Sequence, residues 1–333
     1  MNVAVTPESG TSTGERSPID RSEVQFFSGG ERIAADLLLP TAGASGSQVP
    51  AVVQGPGWLG LRDAKLYVPF HRALLDAGIA VLVLDYRGFG GSGGDPTTLD
   101  LRAQVDDIRA GVTYLETLSE VAPHRIGIFG SGGTGGGNAI LAAAHDDRIR
   151  AVVSQVPIAD GQQWLRGMRT EGEWIAFKNR LRDDSRRRVR DGQGDRVSPR
   201  EEIMVPTAER KTTSVKADVD DRVPSLVELA SAQSIIDYRP VDAVWRISPR
   251  PLLLICVEHD ETTPEDHAFR LFEAARAPKR LIVQTGTTHY RAYADFVEVM
   301  PRLIATWLRS HLIPEEVSFG HDPIWSIEYL AKP

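Results

Sequence analysis

A strand, a glycine-rich turn and a helix follow one another between residues 125 and 140, and this stretch constrains the fold most. The apolar run at 126–129 is typical of a strand buried in a sheet. Six glycines then lie in the eight positions from 130 to 137, and apolar residues recur at helical spacing from Ile140. Glycines allow two backbones to approach closely, and the start of a helix leaves N–H groups free. The stretch therefore predicts a tight strand–turn–helix unit that carries a site.

Two kinds of site use this layout. One is a glycine-rich loop that cradles a phosphate, and the other is a G-x-S-x-G nucleophile elbow, which lifts a serine above the edge of a sheet. No lysine follows the glycines, so a Walker phosphate loop is excluded. The dinucleotide-binding pattern G-x-G-x-x-G matches at Gly130, Gly132 and Gly135, but a run this rich in glycine matches it almost freely. The rest of the chain must decide between the two.

Composition and charge exclude several classes of protein. The 333 residues are 41% hydrophobic and 25% charged, which is typical of soluble globular proteins and allows one large domain with an insertion. A net charge of −7 argues against nucleic acid or an anionic membrane as the main partner. We see no signal peptide and no apolar run near the ~20 residues that span a membrane. The single cysteine, Cys256, lies in an apolar run, so we expect a buried thiol, a reducing compartment and a cytoplasmic protein.

The order of apolar segments predicts an α/β fold with a doubly wound, mostly parallel sheet. We interpret residues 1–22 as a disordered leader and residues 23–39 as an antiparallel hairpin at the sheet edge. Buried strands and helices alternate from residue 51 onward. The predicted strands are 51–53, 79–84, 126–129, 149–155, 251–257 and 280–284. The predicted helices are 67–77, 101–118, 138–145, 268–275 and 296–312.

Residues 161–237 interrupt this alternation and are interpreted as a helical cap inserted into a core of residues 23–160 and 238–312. The cap contains Trp164 and two further aromatic residues, which we expect to shape a partly apolar pocket. Its arginine-rich run at 180–190 is interpreted as a solvated helix face, with binding of an acidic substrate group as the alternative. We expect the tail, residues 313–333, to pack on the body or on a second subunit, so a homodimer is possible.

Polar and aromatic residues follow the predicted strands at the edge where parallel sheets carry their sites. They are Trp58, Tyr86, the glycine turn, Asp260 and His289, and the chain order of turn, acid and histidine resembles that of the α/β-hydrolases. The resemblance covers residues 50–312 and points to a capped peptidase- and esterase-like branch. The matching segments are GPGW at 55–58, DYRGFGGSGG at 85–94, RIGIFGSGGTGG at 125–136, EHDETTP at 258–264 and GTTHY at 286–290.

The resemblance implies a role for each matching residue. Asp260 corresponds to the acid that orients the base, and His289 to the base itself. The backbone N–H groups of Trp58 and Gly133 would form the oxyanion hole. Three further residues are predicted to line the substrate site. They are Gly57, Tyr86 and Trp164. No compact metal-binding motif is present, so we predict neither a metal nor a cofactor, and we expect a small-molecule substrate.

The departure from the family is at the nucleophile, because Gly132 stands at the serine position and Thr134 at that of the last glycine. Ser131 is an alternative nucleophile if the turn starts one residue early, although Phe129 would then stand where the elbow requires a small residue. Thr134 would lie one turn inside the helix. Gly132 could also be an engineered replacement, in which case the natural protein would be an ordinary serine hydrolase.

Three functions remain open. In the first, which we favour, His289 oriented by Asp260 removes a proton from the substrate or from water, giving carbon–carbon cleavage, elimination, cyclisation or hydrolysis of a carbonyl compound. In the second, Ser131 serves an ordinary esterase, thioesterase or peptidase. In the third, the protein binds a ligand without catalysis, Asp260 merely caps a helix and His289 lies in a surface loop. Dinucleotide binding is disfavoured because the next strand, 149–155, lacks a terminal acidic residue.

Overall fold

A nine-stranded sheet forms the centre of the protein in the computed structural model, which describes residues 21–41, 48–212, 221–313 and 324–333. Residues 1–20 of the predicted leader lie outside the described part of the chain. The strands are β1 (Ser22–Ser28), β2 (Glu31–Leu38), β3 (Val49–Gly55), β4 (Ala80–Leu84), β5 (Val121–Ser131), β6 (Ile149–Gln155), β7 (Arg196–Val197), β8 (Val227–Glu228), β9 (Leu252–Val257), β10 (Lys279–Thr285) and β11 (Trp325–Ala331). The sheet order is β1-β2-β4-β3-β5-β6-β9-β10-β11, and β7 pairs with β8 separately.

The sheet is antiparallel where β2 pairs with β1 and with β4, and parallel in all its other pairings. The predicted hairpin at residues 23–39 and the doubly wound, mostly parallel α/β fold are therefore confirmed. The strands of the centre are apolar on both faces, as expected for a sheet covered by helices on each side. In this arrangement the carboxyl ends of β3, β5, β9 and β10 lie along one edge.

Helices cover both faces of the sheet. They are α1 (Val68–Asp76), α2 (Leu101–Glu116), α3 (Gly133–His145), α4 (Gly161–Gly167), α5 (Glu171–Asp191), α6 (Ala208–Thr212), α7 (Ser231–Ile236), α8 (Asp266–Ala274), α9 (Ala292–Asp295) and α10 (Met300–Leu312). One apolar cluster packs α2, α3 and α8 on one face, and a second packs α1 and α10 on the other. Helix α2 begins where the Asp100 side chain accepts hydrogen bonds from the N–H groups of Arg102 and Ala103. None of the described helices combines the length and apolar character needed to cross a membrane.

The insertion between β6 and β9 contains α4, α5, a π-helical turn at Pro199–Ile203, α6, α7 and the antiparallel pair of β7 and β8, with residues 213–220 outside the described part. The arginine-rich run lies on α5. It forms ion pairs along the helix, such as Arg186 with Asp183 at 3.0 Å and Arg188 with Asp184 at 2.9 Å. These arginine side chains remain substantially exposed, which agrees with a solvated helix face.

Two parts of the chain differ from the sequence-based prediction. The predicted helix 296–312 begins four residues later, as α10 at Met300, with Pro301 in its first turn, a position where a missing N–H costs no helical hydrogen bond. The short helix α9 lies before the predicted range. The tail, whose residues 314–323 lie outside the described part, packs on the body, which was one of the two expected places, but it does so by adding β11 in parallel to β10, so the core extends past residue 312. Trp325 of β11 packs edge-on against Phe272. This pairing could not be predicted because it depends on a distant strand edge.

Candidate active site

A buried histidine–aspartate pair joins the loops that follow β9 and β10. Nδ1 of His289 lies 2.7 Å from Oδ2 of Asp260, and both residues are almost fully buried. The other carboxylate oxygen of Asp260 accepts hydrogen bonds from the N–H groups of Thr262 and Thr263, at 2.7 and 2.8 Å. Asp260 therefore both caps a local turn and holds the imidazole, and the two interpretations of this residue are compatible.

The surroundings of His289 set its proton affinity. Burial lowers the pKa of the imidazole, but the charge and hydrogen bond of Asp260, helped by Glu209, outweigh burial and leave the pKa above its ordinary value. Because Asp260 engages Nδ1, Nε2 is the ring nitrogen left to exchange a proton with a reacting group. The pair can thus act as a general base whose positive form is stabilised by a fixed carboxylate.

The glycine turn forms a sharp connection between β5 and α3. Gly132 is the one residue between them, and its backbone is left-handed, with φ of +79° and ψ of 157°. A Cβ atom at this position would lie 2.9 Å from Cα of Gly57 and 3.8 Å from the backbone nitrogen of Trp58. The apex of the turn therefore faces the loop that follows β3, and it carries no side chain.

The loop after β3 approaches the turn closely. A Cβ atom on Gly57 would lie 2.8 Å from the carbonyl oxygen of Ser131, so glycine is required there by space. The Gly57 N–H donates to the Tyr67 hydroxyl at 3.2 Å, which fixes the loop. The N–H of Gly133 stands in the first turn of α3 without a helical acceptor. No acceptor among the described residues binds the N–H of Trp58, so the two donors of the predicted oxyanion hole are available.

Ser131 lies beneath the turn. Its side chain is fully buried, and its hydroxyl oxygen is 2.8 Å from the Tyr293 hydroxyl and 3.3 Å from Oε1 of Gln155. Ser131 follows Phe129 by two positions in β5, so both side chains point to the face covered by α1 and α10. Among the described residues no hydrogen bond joins Ser131 to His289. Thr134 is likewise buried, within α3.

The three residues predicted to line the substrate site differ in position. Gly57 lies at the turn, as described. Trp164 of α4 is buried, donates from its indole N–H to the carbonyl oxygen of Thr262 at 2.8 Å, and meets the Trp58 ring edge-on, so it connects the cap to the acid and oxyanion loops. Tyr86, in contrast, is buried under α3, where its hydroxyl accepts a hydrogen bond from Asn138. The structure does not bring Tyr86 to the histidine–aspartate pair, because its side chain fills the core instead.

Two residues of the site were missed by sequence reasoning. Tyr293 ties the end of β5 to the loop that carries His289, and its spacing of four residues from the histidine was the available signal. Glu209 of the cap accepts hydrogen bonds from the Thr288 hydroxyl and from the Tyr290 N–H, on both sides of His289. No local signal could have found Glu209, because an insertion meets the core through contacts between distant parts of the chain. Within the described ranges no group of three or more His, Cys, Asp or Glu residues is arranged to hold a metal ion.

Known proteins share this architecture. The quorum-quenching protein AidA of Acinetobacter baumannii is 27% identical over 296 residues, which cover 84% of this chain and 90% of that protein. The polyketide transferase grgF of a Penicillium species is 25% identical over 312 residues, covering 89% and 98%. The crystal structure of the hypothetical protein PA2218 from Pseudomonas aeruginosa superposes with a TM-score of 0.76 at 23% identity, over 93% of this chain and 99% of that one.

The family model for the X-Pro dipeptidyl-peptidases of family S15 matches residues 29–291. The matched range runs from the hairpin turn before β2 to the loop after His289, and it includes the glycine turn, the cap and Asp260. It spans well over half of the chain, and the crystal structure of the α/β-hydrolase GrgF from Penicillium superposes on the same core with a TM-score of 0.73. An unbroken match over this length, joined to the same fold, identifies the chain as an enzyme of the α/β-hydrolase fold that belongs to the S15 family.

Proposed function

We propose that this enzyme hydrolyses an activated carbonyl group of a small molecule without a nucleophile from the protein, using His289 as the general base. The observation that carries the proposal is the bare apex at Gly132 beside an intact pair of His289 and Asp260. In an ordinary serine hydrolase the apex supplies the attacking hydroxyl, whereas here it carries no side chain, so the proposal assigns the attack to a water molecule activated by His289. The reaction then needs a base, an oriented carbonyl and donors for its oxygen.

In this mechanism the substrate carbonyl oxygen accepts hydrogen bonds from the N–H groups of Trp58 and Gly133. Nε2 of His289 takes a proton from the water as its oxygen bonds to the carbonyl carbon, and Asp260 stabilises the imidazolium. The tetrahedral intermediate collapses, the bond to the leaving group breaks, and His289 returns the proton to it. The products are a carboxylic acid and the protonated leaving group, and His289 ends neutral.

The same residues would serve a related reaction in which a hydroxyl of the substrate, or of a second substrate, replaces water. Removal of that proton by His289 would give cyclisation or acyl transfer, and removal of an acidic C–H or O–H proton would give a lyase reaction. The resemblance to a protein named as a polyketide transferase is the reason to test acceptors other than water. Catalysis by Ser131 is disfavoured, since its hydroxyl would have to leave Tyr293 and Gln155 and turn away from a buried face.

The absence of a covalent intermediate is testable with 4-nitrophenyl acetate, an activated ester, and with a small fluorophosphonate. We expect the wild-type protein to release 4-nitrophenolate without a pre-steady-state burst, and its intact mass to remain unchanged after the fluorophosphonate. We expect the same behaviour from Ser131→Ala, with steady-state hydrolysis within about threefold of wild type. Rapid-quench kinetics and intact mass spectrometry with peptide mapping give these readouts.

Two outcomes would contradict the proposal. A stoichiometric burst with a fluorophosphonate adduct on Ser131, both lost in Ser131→Ala, would establish an ordinary serine hydrolase. If the folded protein turns over neither 4-nitrophenyl acetate nor any member of a panel of thioesters, lactones and aryl esters, the proposed hydrolysis is disproved. The inactive binding function would then be favoured, and His289→Gln should leave ligand affinity unchanged.

The pH dependence of hydrolysis follows from the raised pKa of His289. A general base must be neutral, so kcat/KM should rise with pH and reach a plateau above the pKa of the imidazole, which lies above its ordinary value. Asp260→Asn removes the charge that raises this pKa, so the midpoint of the profile should move to lower pH while the plateau falls. If the midpoint of the profile is the same in the wild type and in Asp260→Asn, the group that titrates is not His289.

A further inference from the structure

Two arginines of the cap lie beside the candidate active site without an acidic partner. Arg200 stands in the π-helical turn Pro199–Ile203, and its Nη2 donates to the carbonyl oxygen of Leu59, the residue after Trp58, at 3.3 Å. Arg210 of α6 is buried, with 8% of its surface exposed, and its Nη1 lies 3.2 Å from Sδ of Met204. In the part of the chain that the structure describes, no carboxylate lies within 4 Å of either guanidinium.

Two half-buried arginines of this protein, in contrast, have oxygen acceptors. Arg169, also in the cap, donates to the carbonyl oxygens of Leu165, Glu202 and Ile203, at distances of 2.6 to 2.8 Å. Arg250 binds several carbonyl oxygens around the end of α3 in the same way. A guanidinium has five N–H donors, and its burial is costly unless they are paired. The sulfur contact of Arg210 is a weak substitute for an oxygen acceptor, which leaves its guanidinium able to bind an anion.

Arg210 acts on the general base His289, and both arginines act on the neighbouring Tyr290. Arg210 lies against Met204, whose N–H donates to the carbonyl oxygen of Pro199, the residue before Arg200, so the two arginines stand on adjoining segments of the cap. Burial, and then repulsion by Arg210, lower the pKa of Arg200 to about 10. Arg210 also lowers the pKa of His289 and opposes the rise that burial causes in the pKa of Tyr290. The nearby carboxylates are already engaged, since Glu209 binds Thr288 and Tyr290 while Asp260 binds His289.

We infer that Arg200 and Arg210 form a subsite for a carboxylate at the non-reacting end of the substrate. Because Arg200 donates a hydrogen bond to the carbonyl oxygen of Leu59, this subsite lies next to the loop that carries the Trp58 N–H. The planar fork of a guanidinium matches a carboxylate in a way that the point charge of lysine does not. The substrate class is then an activated ester, thioester or lactone of an acid that carries a second, free carboxylate. This inference rests on the proposed function for the reacting end of the substrate.

The test compares mono-4-nitrophenyl esters of the dicarboxylic acids from succinate to suberate with the same compounds capped as methyl esters. We expect the wild-type enzyme to hydrolyse at least one free half-ester with a kcat/KM about tenfold or more above that of its methyl ester. Arg210→Met should remove this preference, so that the ratio of kcat/KM for a free half-ester to that for its methyl ester falls to about one. Arg210→Lys should keep part of it. Arg186→Met, on the exposed face of α5, is the matched control and should behave as wild type.

A binding measurement separates failure of the subsite from failure of the proposed reaction. The free dicarboxylates from succinate to suberate are titrated calorimetrically into wild type, Arg210→Met and Arg186→Met. We expect at least one dicarboxylate to bind the wild type and the Arg186 variant with similar affinity. Its affinity for Arg210→Met should be lower by about tenfold or more. If such binding is found without any hydrolysis, the reaction fails and the subsite stands. If no dicarboxylate binds, or if the Arg210 variant binds as tightly as wild type, the subsite is disproved.

Folding of the variant can be checked independently. Removal of an unpaired buried charge should leave the thermal midpoint of Arg210→Met at or above that of wild type. A large fall in the midpoint would mean that Arg210 supports the structure of the cap. Arg200→Met then provides the second variant, with the same expected loss of preference for the free half-esters, and retention of that preference would overturn the inference.

Discussion

Replacement of His289 by glutamine is expected to lower kcat/KM for 4-nitrophenyl acetate by about 10²- to 10⁴-fold, the range by which a positioned general base accelerates a reaction. Glutamine retains a polar side chain of similar length but cannot accept a proton at neutral pH. The Asp260→Asn variant should show a comparable loss, because an amide can no longer stabilise the imidazolium or select the correct tautomer. Steady-state kinetics across pH measures both effects.

The control for these variants is His259, whose side chain is 87% exposed although the residue precedes Asp260 directly. Its backbone is left-handed, with φ of 56°, so asparagine is the replacement that this conformation tolerates best. His259→Asn should retain activity within about twofold. Equal losses in His259→Asn and His289→Gln would mean that the loops, and not the base, limit the reaction. Unchanged activity in His289→Gln would remove the histidine–aspartate pair from the mechanism.

Replacement of Gly130 by alanine is expected to lower the free energy of unfolding by about 3 kcal/mol or more, at the upper end of the cost of overpacking. The added Cβ would lie 2.1 Å from the carbonyl oxygen of Gly135 and 2.7 Å from Cβ of Ala139, both on α3. A backbone oxygen cannot move away unless the whole helix shifts. Such a shift also displaces the N–H of Gly133, so activity should fall together with stability. Urea unfolding followed by circular dichroism gives the free energy.

Gly172 is the matched control for that experiment. It lies in the first turn of α5, and an added Cβ would meet no atom within 4 Å. Alanine has the higher helix propensity, so Gly172→Ala should leave the stability unchanged or raise it by up to about 1 kcal/mol. If Gly130→Ala stays within about 1 kcal/mol of wild type, the close packing between β5 and α3 is not present in the folded protein.

Most of the fold was predictable because it depends on local patterns. The apolar runs of β4 and β9 are buried on both faces, and their unbroken hydrophobicity already indicates a parallel sheet between helices. The start of α10 was predicted four residues too early because the apolar periodicity already begins at Phe296, and β11 was missed because a strand needs a partner edge. The periodicity of apolar residues predicted which segments are helices and which are strands. The pairing of each strand with its neighbours became visible only in the assembled sheet.

The side on which Ser131 lies was within reach of the sequence. Strand residues alternate between the two faces, so a serine two positions after the core residue Phe129 must share its face. Tyr86 shows the opposite case, because its place at a strand end was correct while its side chain enters the core beside Asn138. The end of a strand fixes the position of a residue's backbone, and packing decides the direction of its side chain.

The sequence by itself determined the alternating fold, the glycine turn, and the order of acid and histidine at the strand ends, because each of these depends on residue type and short-range spacing. The tertiary structure decided the 2.7 Å contact between His289 and Asp260, which closes a separation of 29 residues. It also placed Arg200 of the insertion against the carbonyl oxygen of Leu59 and Arg210 against Met204. Such contacts join segments whose separation in sequence carries no signal, since they form only when the sheet edge and the cap are packed together.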